Sequence, residues 1–385
     1  MRSLPPDLLE RVRTALAEDP GPVTPGRVAA AVREAGAVLG DVGLLDVVDA
    51  LRAELVGAGP LESLLADPEV TDVLVNGPHD VWVDRGQGVE RVRMDLGDEP
   101  AVRRLAVRLA AVAGRRLDDA APYVDARLPG GVRVHAVLPP LAEGTLISLR
   151  VPHRRSLTLS DLVHRGSVPP GWVALIERLV RQRAAMLVSG GTGSGKTTVL
   201  AALLALVPTS ERIVVVEDTA ELRVEHPHVV RLQARAPNVE GRGAVTMTDL
   251  VRQALRMRPD RLVVGEVRGA EVRELLAALN TGHEGGCGTL HANAAADVPA
   301  RLEALGALAG LDRSAVHAQA RGAVQVVLHL QRRAGHRRLM EVAVVDPTAS
   351  GLVVLPAVVA DPTDPAAPGT RGAGFPVLER LLGTT

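Results

Sequence analysis

The sequence predicts an α/β chain in which a largely parallel sheet, covered on both faces, follows a smaller α+β region. Three observations predict it. From Trp172 onward, short unbroken apolar runs at 185–189, 213–216 and 261–264 alternate with helix-patterned stretches near 172–183, 246–257 and 270–280. Strands with no polar face are buried on both sides, as in parallel sheets. Earlier, strand-like runs at 70–75, 81–84, 132–137 and 146–151 surround a helix-patterned stretch at 102–112. Finally, only one of the 44 Lys and Arg residues is lysine, and it stands in Gly190-Gly191-Thr192-Gly193-Ser194-Gly195-Lys196-Thr197-Thr198. That segment fits G-x-x-x-x-G-K-[ST], the phosphate-binding loop.

In order, residues 1–58 read as a helical N-terminal region. Leu8, Leu9, Val12 and Leu16 keep helical spacing, as do Val28, Ala31, Val32, Ala35 and Leu39, with Pro20, Pro22, Pro25 and Gly40 as breaks. Residues 59–150 form the α+β domain, with Asn76-Gly77-Pro78 as a turn between its first strands. Residues 151–172, with Pro152, Pro169, Pro170 and Gly171, read as a linker, and 173–346 as the α/β domain. Residues 347–385 are a Pro/Gly-rich C-terminal tail, expected as a mobile tether ending in a short amphipathic stretch at 375–382.

Composition narrows the function. The apolar fraction is 46%, but Trp82, Trp172, Tyr123 and Phe375 are the only aromatics, so the cores are built from Ala, Val and Leu. A net charge of −1 and the lack of stacking side chains disfavour direct nucleic-acid binding. The pairs Arg103-Arg104, Arg115-Arg116, Arg154-Arg155 and Arg332-Arg333 read mostly as solvated faces. A single cysteine, Cys287, excludes internal disulfides and multi-cysteine zinc sites and suits a reducing cytosol. The first ten residues do not read as a signal peptide, and no apolar run reaches the ~20 residues of a membrane span.

Four elements carry chemistry. Gly190, Gly193 and Gly195 let backbone N–H groups turn inward on phosphate oxygens, and the helix from Lys196 aims its N-terminus at the same anion. Lys196 meets the β,γ-phosphates of ATP, and the Thr197 hydroxyl meets Mg²⁺. Glu217-Asp218 closes the 213–216 strand, where carboxylates face a ligand crevice; Glu221 lies one turn on. Glu266 follows 261–264, with Gly265 standing where a standard metal-binding acid would be. The fourth is Thr281-Gly282-His283-Glu284-Gly285-Gly286-Cys287-Gly288-Thr289-Leu290-His291-Ala292-Asn293, in which His291 is a γ-phosphate sensor or the partner of an acid. His283 and His291 lack metal-ligand spacing, so zinc is rejected.

In this order the four elements resemble the secretion ATPase superfamily of type II and type IV secretion and pilus motors, with its Walker A, Asp box, non-standard Walker B and His box. Arg256-Met257-Arg258-Pro259-Asp260-Arg261 before Gly265-Glu266-Val267-Arg268-Gly269 is similar to the signature of that family. Gly59-Pro60-Leu61-Glu62, 65–77, 124–135 and Ile147-Ser148-Leu149-Arg150 resemble its Tad (tight adherence) pilus branch. The family's tetracysteine zinc module is absent.

The resemblance implies a RecA-like P-loop NTPase domain with a preceding α+β N-terminal domain. It also implies a cytoplasmic homohexamer, peripheral at the inner face of the membrane, with ATP between the two domains and an inner-membrane platform protein as partner. It places Arg127, Arg133 and Arg150 as phosphate-contacting arginines. Glu217, Glu266 and His291 are then the catalytic set, Gly190 to Thr198 hold the nucleotide, and Thr197 and Glu266 serve the metal. The sequence leaves open which glutamate is the base. It also leaves open a type IV secretion or conjugal-transfer ATPase, a weakly hydrolysing nucleotide-binding scaffold, and a DNA helicase.

Overall fold

The computed structural model describes residues 11, 25–34, 57–86, 88–128, 130–152, 156–235, 237, 242–282, 284–333, 335–346, 350–364 and 366–383. The chain divides into two compact units, Met1–Arg154 and Arg155–Thr385.

In the first unit, helices α1 (Pro25–Glu34) and α2 (Glu62–Ala66) precede strands β1 (Asp72–Gly77), β2 (Asp80–Asp84) and β3 (Val89–Val92). Helix α3 (Glu99–Val112) and strands β4 (Tyr123–Arg127), β5 (Arg133–Val137) and β6 (Leu146–Arg150) follow. Most of the 1–58 helical reading lies outside the described residues. The sheet order is β3-β2-β1-β6-β5-β4, and every neighbouring pair is antiparallel. Alternate strand residues such as Val73, Val75, Val134, Ala136, Ile147 and Leu149 are buried against Val102, Leu105, Ala106 and Leu109 of α3. Asp98 caps α3 by accepting from the Ala101 N–H. Strand β1 runs through Asn76 and Gly77, so the expected turn falls one step later. Strand β3 was not legible as a strand, because it is a largely exposed edge with no apolar face.

The second unit opens with α4 (Leu159–His164) and α5 (Val173–Arg181), then β7 (Met186–Gly190), α6 (Lys196–Leu204), β8 (Ile213–Glu217) and β9 (Val229–Gln233). Next come α7 (Met247–Ala254), β10 (Arg261–Val264), α8 (Val272–Asn280), β11 (Cys287–Leu290), α9 (Val298–Leu308) and α10 (Arg313–Ala323). It ends in β12 (Val326–Arg333), β13 (His336–Val345), β14 (Val354–Val359), β15 (Thr370–Arg371) and α11 (Phe375–Leu381). The sheet order is β15-β14-β13-β12-β7-β11-β10-β8-β9. From β12 to β9 all pairs are parallel, and β12 to β15 form an antiparallel extension. One face is packed by α4, α5, α6 and α11, and the other by α7 to α10. Met186 and Val188 therefore bury on one side while Leu187 buries on the other.

Two segments differ from their sequence reading. The 151–172 stretch is not a plain linker. It holds α4, opened by a Thr158–Asp161 capping box, and it buries Leu159, Leu162, Val168 and Trp172. The 347–385 stretch is not a loose tether. It supplies β14, β15 and α11 and buries Ala357, Val358, Leu378 and Leu382 in the core. Gln182 donates to the Leu382 carbonyl at 2.9 Å, and Arg178 donates to it as well. The glycines there serve close packing: a Cβ on Gly372 would lie 2.3 Å from the Pro356 oxygen. Among the described residues, no helix is long and apolar enough to cross a membrane.

Candidate functional site

The loop after β7 turns through glycines in positive φ, Gly193 at +68° and Gly195 at +94° as the N-cap of α6. At Gly190 a Cβ would lie 2.5 Å from the Leu330 oxygen and 2.6 Å from Ser194 Oγ, so the loop is seated on β12 by the absence of a side chain. Helix α6 is almost wholly buried, which fixes its N-terminus rigidly. Lys196 is 7% exposed. Its ammonium donates to the carbonyls of Gly190 (3.1 Å) and Gly191 (2.9 Å) and stands 3.5 Å from His291 Nδ1. Burial lowers the Lys196 pKa, and the charge of Glu266 pulls against that shift. Gly191, Thr192 and Gly193 are exposed, Thr197 and Thr198 are half-buried, and Ser194 Oγ is buried without a partner among the described residues.

The sheet order brings the other residues to the same edge. Strands β7, β11, β10 and β8 are parallel neighbours, and their C-terminal ends deliver the loop, His291, Glu266 and Glu217 in turn. His291 Nε2 lies 2.5 Å from Glu266 Oε1, and Arg268 pairs with Glu266 Oε2. Lys196, His291, Glu266 and Arg268 thus form one polar chain. Burial, followed by the Lys196 charge, holds the His291 pKa below its ordinary value, while Glu266 opposes the shift.

Glu217 is 4% exposed, and its Oε1 accepts from the N–H groups of Glu221 (2.9 Å) and Leu222 (2.8 Å). Its Oε2 is buried with no donor among the described residues, and burial raises its pKa. Asp218 and Glu221 are exposed. Gly265, the irregular feature of the third motif, has a physical reason: a Cβ there would fall 2.6 Å from Glu217 Cγ. Thr289 Oγ1 donates to the Gly265 carbonyl at 2.7 Å and pins the same point. Among the described residues no group of three or more His, Cys, Asp or Glu forms a metal cage. A magnesium ion held mainly by phosphates and water needs only one or two protein ligands, and Thr197 and Glu266 are the candidates for that part.

Several neighbours were not legible as site residues. Arg337 Nε donates to the Gly193 carbonyl at 2.9 Å, and Arg332 Nη1 comes within 3.6 Å of where a Gly193 Cβ would be. Arg332 is therefore beside the phosphate loop and not merely on a solvated face. Beneath the loop, buried Ser189 Oγ and His329 Nδ1 lie 2.9 Å apart, joining β7 to β12. The two hydrogen-bonded contacts span 144 and 140 residues, and no local motif announces them. His283 lies outside the described residues. Cys287 is buried, and burial pushes its thiol up to about 12, so it is a packing residue.

In the first unit the three arginines share one transverse row. Arg127 pairs opposite Arg133, Arg133 opposite Arg150, and Arg150 opposite Asp72. Their strand neighbours Ala126, Val134 and Leu149 are buried, so the row stands on the face away from the core. Arg133 Nε donates to Asp125 at 2.9 Å, Arg150 Nε to Asp72 at 3.1 Å, and Arg127 Nε to the Gly131 carbonyl at 3.2 Å.

A family model described as "Type II/IV secretion system protein" matches residues 54–355. A Mycobacterium tuberculosis protein, provisionally named a conjugal transfer protein, is 59% identical over 316 residues, covering 80% of this chain and 90% of its own. A Bordetella bronchiseptica protein named "Type IV secretion system protein PtlH homolog" is 33% identical over 317 residues, covering 73% of this chain and 92% of its own. The solved structure of the Legionella pneumophila ATPase DotB is 20% identical, covers 84% of this chain and 93% of its own, and superposes with a TM-score of 0.54, a likeness of fold.

Proposed function

The chain belongs to the type II/IV secretion system protein family, and on that premise we propose that it is a Mg²⁺-dependent ATPase that drives pilus assembly or protein secretion. The observation that carries this reading is the chain Lys196–His291–Glu266 at the mouth of a phosphate loop, beside a buried glutamate with one unsatisfied oxygen. The finer assignment is a motor of the Tad pilus branch, working as a cytoplasmic homohexamer at the inner face of the membrane on a platform protein. The quoted 59–77 and 124–135 motifs support it.

Lys196 neutralises the β,γ-phosphates, and the N–H groups of Gly191 to Thr198 cradle them. Thr197 and Glu266 would hold the metal, and a magnesium ion there would supply charge that offsets the phosphates. Glu217 Oε2 accepts the proton of the attacking water as its oxygen bonds to the γ-phosphorus and the bond to the β,γ-bridging oxygen breaks. A buried carboxylate of raised pKa is a better base near neutral pH than a solvated one. His291, in contact with both Lys196 and Glu266, reports the γ-phosphate to the strands behind it.

The names of the relatives support a second reading, in which the same ATPase serves conjugal transfer or type IV secretion of DNA or protein. The deciding experiment for hydrolysis is steady-state phosphate release by wild type, Lys196→Ala, Glu217→Gln and Glu266→Gln. We expect each substitution to cost ~10²-fold or more. Equal, negligible rates in all four proteins would leave a nucleotide-binding scaffold instead.

A further inference from the structure

The acids and His291 all stand on one side of the phosphate loop. Strands β11, β10 and β8 lie on that side of β7, and the β12–β13 hairpin lies on the other. A triphosphate whose γ end meets Lys196 and His291 therefore directs its nucleoside toward the hairpin.

The hairpin is unusually basic near its tip. Its register pairs Gln331 with Arg338, Arg332 with Arg337 and Arg333 with His336. Directly opposed residues share a face, and successive pairs alternate. Arg332 and Arg337 thus form the pair on the loop side. Arg337 is occupied: its Nε donates to Gly193, and its Cδ lies 3.5 Å from the position a Cβ on Gly195 would take. It braces the loop from outside, so it is a positioning residue. Arg332 is exposed and has no carboxylate in ion-pair range among the described residues.

A purine ring stacks favourably on a flat partner, and neither Trp172 nor Phe375 of the second unit is open to serve as one. Trp172 is 1% exposed and donates to the Pro368 carbonyl, while the Phe375 ring is covered by the Arg371 guanidinium at 4.0 Å. A guanidinium is planar and stacks on aromatic rings. We propose that Arg332 is the nucleobase-binding residue of this site, its guanidinium plane packing on the purine where the nucleotide leaves the loop. The proposal rests on the ATPase reading and adds the residue that separates a nucleotide from a bare polyphosphate.

The test compares affinities for ATP and for inorganic tripolyphosphate, both with magnesium, in wild type and Arg332→Ala. The expected result is a loss of about 5- to 30-fold for ATP with less than about 2-fold for tripolyphosphate. Equal losses for both ligands would show a general charge effect and overturn the proposal. Unchanged ATP affinity in the variant would overturn it as well. A wild type that binds neither ligand would instead overturn the ATPase reading, and the base contact with it.

Discussion

Gly265→Ala tests how the two glutamate-bearing strands fit together. The new methyl would sit 2.6 Å from Glu217 Cγ and 3.2 Å from its Oε1. Glu217 cannot swing aside freely, because its Oε1 is held by two backbone N–H groups and the side chain is buried. Overpacking costs ~1–3 kcal/mol, and weakening a hydrogen bond to a charged group adds ~1.5 kcal/mol. The sum, about 2.5–4.5 kcal/mol, corresponds to a fall in Tm of about 5–18 °C for a unit of this size. Calorimetry on wild type, Gly265→Ala, Glu217→Ala and the double variant reads it. Removing Cγ makes room for the methyl, so the double variant should be no less stable than Glu217→Ala alone. Simple additivity of the two losses would refute the contact.

Other outcomes follow from burial. Cys287 should resist thiol reagents in the folded protein and react on denaturation, as mass spectrometry would show. Burial lowers the His329 pKa, so the unfolded chain takes up a proton near pH 6.5 that the folded chain refuses. Stability is therefore full above that pH and declines as pH falls toward the lower folded pKa. Urea midpoints at pH 7.5 and 5.5 should differ less in His329→Gln than in wild type. Leu378→Ala should cost ~2–4 kcal/mol in urea denaturation, because this leucine is 1% exposed in the core. A tethered tail would give no change.

The parts legible in the sequence were those whose signal is local. The phosphate loop, Glu217, Glu266 and His291 each announce themselves within a dozen residues, and buried strands show as apolar runs. What stayed hidden depends on which strand lies next to which. Arg337 meets Gly193 across 144 residues, so its basic neighbourhood looked like solvated surface. Gly265 looked like a defect in a motif until Glu217 was seen beside it. The C-terminal segment misled because Pro and Gly mark both looseness and close backbone approach, and here the second applies. The family resemblance marked the three arginines, while only strand register reveals them as a row.

That row behaves like the teeth of a comb. Arg127, Arg133 and Arg150 are set on adjoining strands, ~4.8 Å from one to the next, and their backbones are cross-linked by the sheet itself. The three stems therefore leave one face of the sheet at spacings fixed by its ladder, while each guanidinium keeps its own rotatable arm.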